Sequence, residues 1–327
     1  MGKRFLRSVV QDFQTLTASA DITPVDLPVN PLSHLILTIT LNLTPAQAAD
    51  KTFRTINPFL DAIGDVSVRY RGENIIQGNG QDVAMMASML TGYSPWGREF
   101  HGVNNTVRSL SLLLPFTRQP FRHEEAFPAT TRGQLRFFMT AAAAPTGYTT
   151  MQWALESVEL IEDEPKQYLK WTTLSRALTA SGRQQIDLPL GNQIMGVLLF
   201  DPSDEIDATV QYAFGKVKIL KDNVEQYFPE SNWESLAETL GRRYPSIQTG
   251  YGHFHEQLAA DTSTGQPVHL VADKPPLQYG YLDFDPLDDD SYLMDTAGAS
   301  SLKLDMNSDV NTGTVRVLPV EVVQVKK

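Results

Sequence analysis

Residues 66–83 read VSVRYRGENIIQGNGQDV, in which a strand-like run leads through a glycine-rich turn into the start of a helix. A strand, a glycine turn and a helix N-terminus together bind phosphate in many nucleotide enzymes. Gly78-Asn79-Gly80 lacks the spacing and the Lys-Ser/Thr ending of a P-loop, and it lacks the third glycine of the dinucleotide motif. Because Asn-Gly readily supplies positive φ, a tight structural turn is the better prediction.

His253 and His255 alternate within the segment YGHFHE, so on a β-strand both side chains would project to the same side. A cupin-like enzyme uses such a pair to bind a metal ion. In that family the glutamate follows several residues later, whereas Glu256 is adjacent here, and His269 lies in a segment without a defined pattern. A surface loop is therefore favoured, and a metal site is the alternative.

Two acidic stretches offer oxygen ligands or acid–base groups. The run FDPLDDD at residues 284–290 lacks the spacing, the central glycine and the terminal glutamate of an EF-hand loop, so a solvated acidic turn is favoured over a hard-cation site. Glu124 and Glu125 are adjacent and point in different directions, whereas a glycosidase needs two carboxyl groups that converge on one bond. We therefore predict no catalytic residue, no bound metal and no cofactor.

The composition sets further limits on function. The chain has 327 residues and a formal net charge of −11, which argues against a protein that binds nucleic acid by neutralising phosphate over its whole surface. It contains no cysteine, which excludes disulfides, thiolate metal sites and cysteine nucleophiles. We expect no membrane span, because apolar runs are short, and no signal peptide, because the basic start lacks a long apolar core.

The beginning of the chain predicts an amphipathic helix over residues 4–17, within an N-terminal arm of residues 1–30. The apolar residues at helical spacing are Phe5, Val9, Phe13 and Leu16. The simpler interpretation is a helix packed on the body of the protein, and the alternative is a basic end against an anionic membrane or genome. The candidate membrane-facing or genome-facing residues are Lys3, Arg4 and Arg7.

Most of the remaining chain alternates between apolar and polar residues. In SHLILTITLNLT, residues 33–44, one face carries Leu35, Leu37, Ile39, Leu41 and Leu43 and the other carries Thr38, Thr40 and Asn42, which predicts a half-buried strand. Helices are predicted only near 81–90 and 233–240, the second with an S-x-x-E capping spacing and an end before Gly241. Many short strands with few helices indicate a sandwich or barrel.

Short strand-like segments recur in the same order in the two halves of the chain. The matched pairs are DVSVRY (65–70) with DATVQY (207–212), QLRFFM (134–139) with SLKLDM (301–306), and MQWALESVEL (151–160) with TVRVLPVEVV (314–323). Their order predicts two β-rich domains in tandem. Since the spacing grows along the chain, the second half is expected to contain an insertion of roughly 25 residues.

In architecture the chain resembles the double jelly-roll major capsid proteins of tailless icosahedral viruses with an internal membrane, including bacteriophages, and their adenovirus-type relatives. The segments that carry the resemblance are residues 110–139, 169–201 and 283–323. The resemblance implies an all-β fold of two tandem eight-stranded jelly rolls, with a short N-terminal helix and a few other short helices. The first jelly roll is expected at 31–165 and the second at 166–327, with the insertion around 241–280.

The resemblance also implies a structural coat protein rather than an enzyme. Such a protein would be made in the host cytoplasm and would form homotrimeric, pseudo-hexameric capsomers of an icosahedral virion. Its expected partners are neighbouring capsomers, penton and minor capsid proteins and an internal viral membrane at the inner face, with no sequence-specific nucleic acid. The alternative is a double β-domain protein, either a bicupin-like metalloenzyme that uses His253 and His255 or a carbohydrate-active or carbohydrate-binding protein.

Overall fold

The computed structural model describes residues 4–44, 56–92, 95–98, 106–203, 212–243, 258–260, 267–269 and 278–325. The chain divides into two compact units. Met1–Tyr168 with Tyr244–Lys274 form the first unit, and Leu169–Arg243 with Pro275–Lys327 form the second. None of the described helices is long and apolar enough to cross a membrane.

The first unit is built of antiparallel strands and two helices. Its strands are β1 (Arg4–Thr15), β2 (Val25–Asp26), β3 (Leu32–Leu43), β4 (Ile63–Tyr70), β5 (Glu73–Gly78), β6 (Trp96–Arg98), β7 (Val107–Pro115), β8 (Leu135–Ala141) and β9 (Tyr148–Ile161). Its helices are α1 (Asn57–Asp61) and α2 (Gly80–Thr91).

These strands have the order of a jelly roll. One sheet runs β1-β9-β3-β7-β6, and the other strands of the unit follow the order β5-β4-β8-β2. When β6 is set aside and the eight remaining strands are lettered B to I along the chain, the two sheets read BIDG and CHEF. That order is produced by two interlocked Greek keys, and it leaves few free strand edges. Helix α2 lies between strands F and G.

Alternation along β3 explains why its residues form the inner wall of the first unit. Leu35, Leu37 and Ile39 are fully buried, whereas Thr38 and Thr40 hydrogen-bond to serines of the neighbouring strand β7. Facing side chains complete this core, where the rings of Phe137 and Trp153 stack with their centres 5.9 Å apart in the manner of other core aromatic pairs. The strand predicted from residues 33–44 is confirmed.

The helix predicted over residues 4–17 is wrong, because this segment forms β1. It pairs antiparallel with β9, from Arg4 opposite Ile161 to Thr15 opposite Gln152. Two irregularities of register, on either side of Gln11, break the two-residue alternation. Phe5, Val9 and Phe13 are four positions apart, a spacing that fits one side of a strand as well as one face of a helix, so the pattern alone did not distinguish the two. This segment is strand B of the first jelly roll, which begins well before residue 31.

The second unit repeats the same plan. Its strands are β10 (Gln167–Thr172), β11 (Leu174–Ala177), β12 (Gly182–Asp187), β13 (Gln193–Phe200), β14 (Lys216–Lys221), β15 (Val224–Glu225), β16 (Ser231–Asn232), β19 (Tyr279–Asp283), β20 (Met294–Asp295), β21 (Leu302–Ser308) and β22 (Thr314–Gln324). Helix α3 spans Trp233–Arg243. A separate two-stranded pair, β17 (Leu258–Ala260) and β18 (Pro267–His269), falls within the segment Tyr244–Lys274 that groups with the first unit.

Strand order identifies the second unit as another jelly roll. Its strands follow the orders β10-β22-β13-β19 and β12-β21-β14-β15, which again read BIDG and CHEF. Helix α3 lies between F and G, as α2 does in the first unit. It is held on the sheet by Trp233, Leu236 and Leu240, all buried. The helix continues to Arg243, so the end predicted before Gly241 is wrong by three residues.

Two of the three matched sequence pairs lie on equivalent strands. β8 and β21 are both strand H, and β9 and β22 are both strand I, which confirms those two matches. The pairing of 65–70 with 207–212 is wrong, because the strand equivalent to β4 is β14. Both strands enter two-residue hairpin turns with positive φ at both positions, Arg71-Gly72 in one unit and Asp222-Asn223 in the other. Short alternating segments align at several offsets, which explains the false match.

Candidate functional site

The glycine-rich turn before α2 is occupied by the protein's own groups. The Asn79 side chain accepts a hydrogen bond of 2.9 Å from the backbone N–H of Asp82 and so caps the helix. Gly80 packs against the backbone of α1, where a Cβ would lie 2.2 Å from the Leu60 carbonyl oxygen. Asn79 has a negative φ, so the turn does not use the positive φ that the sequence suggested. Close packing explains the glycine instead.

The two adjacent glutamates have opposite environments. Glu125 is fully buried and forms an ion pair with Arg118, whose Nη2 lies 2.7 Å from its Oε1. It also accepts hydrogen bonds from the Arg118 backbone N–H and from the Gln167 side chain. Glu124 is exposed and pairs with Lys166. Their carboxyl groups do not share a substrate-sized cleft, and Glu125 is committed to a structural ion pair.

The acidic run at residues 284–290 is held by an arginine that the sequence analysis did not associate with it. Arg243, the last residue of α3, contacts both carboxylate oxygens of Asp283 at 2.8 Å, the carboxylate of Asp288 and the backbone carbonyl of Asp285. Burial alone would lower the pKa of Arg243, but these partners raise it. The guanidinium thus supplies the positive charge that a hard cation would have supplied.

Another charged cluster lies on the outer face of the second unit. Arg183 and Gln185 donate hydrogen bonds of 2.7–2.9 Å to Asp305. Burial alone would raise the pKa of Asp305, but these bonds and the Arg183 charge hold it below its ordinary value. With Lys216 and Lys218 these groups line a shallow depression of about 220 Å³. Each cation there has a carboxylate partner, so the cluster stabilises the sheet face.

β1 carries two of the three residues predicted to face a membrane or genome. Arg4 pairs with Glu162 at 3.3 Å, and Arg7 pairs with Glu156. Lys3 lies outside the described residues. Both pairs are exposed and therefore weak, but they supply a local partner for each arginine. The role predicted for these cations stays a prediction.

β1 is also the most exposed strand of the first jelly roll. It forms the outer edge of its sheet, and large apolar side chains are exposed along it. They are Phe5, Leu6, Val9 and Phe13. Phe5 contacts Phe121 edge to face, with ring centres 5.0 Å apart. This surface is the main candidate for contact with another protein chain. It was not predicted, because residues 4–17 were interpreted as a helix.

His253 and His255, the metal ligands of the alternative interpretation, lie outside the described residues together with Glu256, and the side chain of His269 is likewise not described. Across the described ranges, no group of three or more His, Cys, Asp or Glu residues is placed to hold a metal ion. The tryptophans of the described core serve packing: Trp153, Trp171 and Trp233 are all buried. They form no exposed platform for a sugar ring.

Two successive units with BIDG and CHEF sheets define the double jelly-roll fold. Similar chains occur in viral shells of different kinds. A chain in the atomic structure of Sulfolobus turreted icosahedral virus matches at a TM-score of 0.68 and 13% identity, over 98% of this chain and 91% of that one. The major capsid protein of bacteriophage PM2 matches at a TM-score of 0.60 and 11% identity, over 99% of each chain.

The Faustovirus major capsid protein is similar at a TM-score of 0.56 and 9% identity, over 99% of this chain and 90% of that chain. No protein-family model and no curated protein matches this sequence. At such identities the likeness establishes the fold, and the predicted double jelly roll is confirmed.

Proposed function

We propose that this chain is the major capsid protein of a tailless icosahedral virus. The main support is the extent of the structural match: the alignment with the bacteriophage PM2 capsid protein covers 99% of this chain and 99% of that protein. The proposed role is structural, without catalysis.

The chemistry of the described side chains supports this proposal. Glu125, Asp305 and Arg243 are charged groups in buried or largely buried positions, and each is held by an opposite charge. Ion pairs that are fully bonded in this way fix the geometry of the units around them. A coat protein needs this rigidity and needs no reactive group.

We further propose that three copies form the capsomer. Two jelly rolls in each chain then give a six-sided block from one gene product, since cyclic assembly of identical chains is the usual route to closed oligomers. Its proposed partners in the virion shell are neighbouring capsomers, penton and minor capsid proteins. An internal membrane beneath the shell, with Lys3, Arg4 and Arg7 facing it, and a bacteriophage origin belong to the same proposal.

Electron microscopy of the purified protein tests the function. The coat proposal expects discrete hexagonal particles of uniform size, which associate edge to edge at high protein concentration. Particles of irregular outline that never associate, in a protein that remains folded by circular dichroism, would contradict a coat role.

A further inference from the structure

β1 leaves an open sheet edge on the first unit. In the described chain it pairs only with β9, so the backbone N–H and C=O groups on its other side have no strand partner over a 12-residue length. Its apolar side chains are unusually exposed, with 63% of Val9 and 61% of Phe5 accessible. Natural proteins shorten, charge or cover such edges because they recruit other chains. A long, apolar, uncovered edge therefore indicates a binding surface.

The equivalent strand of the second unit differs from β1 in the burial of its apolar side chains. Strand B of that unit is β10 with β11, and Leu169 and Trp171 of β10 are fully buried. Among the described residues, apolar side chains of one B strand are therefore buried within the chain, whereas those of the other, such as Phe5 and Val9, stay exposed. This difference between two copies of one fold favours a second copy of this chain as the occupant of the β1 edge.

The size of the edge argues against two β1 strands that face each other in a symmetric dimer. Twelve residues extend over about 40 Å, and an edge about 10 Å high then offers roughly 400 Å² of contact. A stable interface buries about 800 Å² on each partner. In a ring, where every copy contributes β1 to one neighbour and a receiving surface to the other, each subunit buries such an area twice, or roughly 800 Å² in total.

A receiving surface of suitable character lies on the second unit. Tyr227 and Leu287 are both exposed, and the Tyr227 ring lies edge to face against Phe284 with centres 5.3 Å apart. Leu287 lies in the turn that follows Phe284. The next residues, Asp288 and Asp289, give this apolar surface an acidic rim.

Charge complements the apolar contact. β1 carries Arg4 and Arg7 beside its exposed apolar side chains, and the receiving surface carries aspartates beside its own. The Arg4–Glu162 pair is exposed on both sides, at 63% and 60%, so it contributes little and its arginine can exchange partners. Opposite charges around two apolar patches increase the association rate and favour the correct pairing.

We propose that β1 of one copy binds the surface around Tyr227 and Leu287 on the second unit of a neighbouring copy. The inference rests on the proposed homotrimer and names the two surfaces that form it. Each subunit then contributes its first unit to one neighbour and its second unit to the other.

Cross-linking tests this contact directly, because the natural chain has no cysteine. Val9→Cys and Leu287→Cys chains, coexpressed and treated with a short bismaleimide, should give a covalent dimer of one chain of each kind. Val107→Cys is the matched control, since Val107 is also an exposed strand valine of the first unit, and with Leu287→Cys it should give none. A dimer formed by Val9→Cys chains alone would overturn the proposal in favour of β1 pairing with itself.

Solution measurements separate this inference from the proposed function. Val9→Asp should raise the dissociation constant of the trimer at least tenfold, and Val107→Asp should not, with both variants as well folded as the natural chain. A natural trimer that both variants retain would overturn only the assigned surface. A natural chain that is monomeric at every concentration would contradict the homotrimer itself.

A vesicle-binding assay tests a membrane as the alternative occupant of the β1 edge. Vesicles of phosphatidylcholine with phosphatidylserine are mixed with the natural chain and with Val9→Asp. Loss of vesicle binding in Val9→Asp, with the trimer intact, would assign β1 to a membrane and overturn the proposal.

Discussion

Arg243 and Asp283 are joined by two hydrogen bonds of 2.8 Å, which tie the last residue of α3 to the last residue of β19. Arg243 also binds the Asp288 carboxylate and the Asp285 backbone carbonyl, so its charge balances the acidic turn that follows β19. The ion pair therefore ties the end of the helix to the end of the strand within the second unit.

Replacing Arg243 by Met should lower the free energy of unfolding by about 3 kcal/mol, because it leaves carboxylates without their partner in a largely buried site. Arg242→Met is the matched control. Arg242 is exposed and pairs only with Glu238 one helical turn away, so its loss should change stability by less than about 0.5 kcal/mol. Urea unfolding of both variants measures the difference. Equal effects would mean that the Arg243 cluster is no stronger than a surface ion pair.

The neighbouring glutamates provide a second matched comparison. Glu125→Gln should destabilise the protein by about 3 to 5 kcal/mol, since it leaves the Arg118 charge buried without a counter-charge. Glu124→Gln removes only an exposed pair with Lys166 and should have an effect below about 0.5 kcal/mol. Thermal unfolding measures both. If Glu124→Gln were as destabilising as Glu125→Gln, the assigned difference in burial would be wrong.

The turn before α2 should respond as a packed helix cap. Gly80→Ala should cost about 2 kcal/mol or more, because the new Cβ would overlap the Leu60 carbonyl oxygen and overpack the contact. Asn79→Ala should cost about 1 kcal/mol through loss of the cap, and Asn79→Gly only a few tenths. Chemical denaturation gives these values. A neutral Gly80→Ala substitution would show that α1 does not approach this closely.

The buried histidine of β3 predicts a pH dependence. Burial, and then the nearby charge of Arg7, lower the pKa of His34 from 6.5 to about 4. Between these values the unfolded chain binds a proton that the folded chain does not, so stability should fall as pH decreases from 6.5 to 4, by up to about 3 kcal/mol.

His34→Gln should lack this contribution and therefore show a shallower loss of stability over the same pH range. Urea midpoints of both proteins across that range measure it, and the carboxylates common to both cancel in the comparison. Parallel curves for the two proteins would exclude His34 as the titrating group.

The alternation of apolar and polar residues predicted a strand correctly where one face of the strand is buried. It failed where most side chains of the strand are exposed. β3 alternates because one face meets the core, so its sequence predicts its structure. β1 has no such constraint: most of its residues are exposed, and the four-residue spacing of Phe5, Val9 and Phe13 fits one side of a strand as well as one face of a helix. Tertiary pairing with β9 determines its conformation, and a single segment carries no record of that partner.

The charged clusters were unpredictable for a related reason. Arg243 lies 40 residues from Asp283, and Arg183 lies 122 residues from Asp305, so no spacing in the sequence links either pair. Glu124 and Glu125 differ only in burial, which one sequence does not reveal. The tandem plan was predictable because it rests on repeated strands, and two of the three matches were correct without any contact being known.

Native mass spectrometry of the purified protein measures how many chains form the capsomer. If this chain builds a capsid from trimeric capsomers, the dominant species should have three times the 36.4 kDa mass of one chain and should be stable on dilution. A dominant species of one or two chains at every concentration, in a protein that unfolds cooperatively, would contradict it.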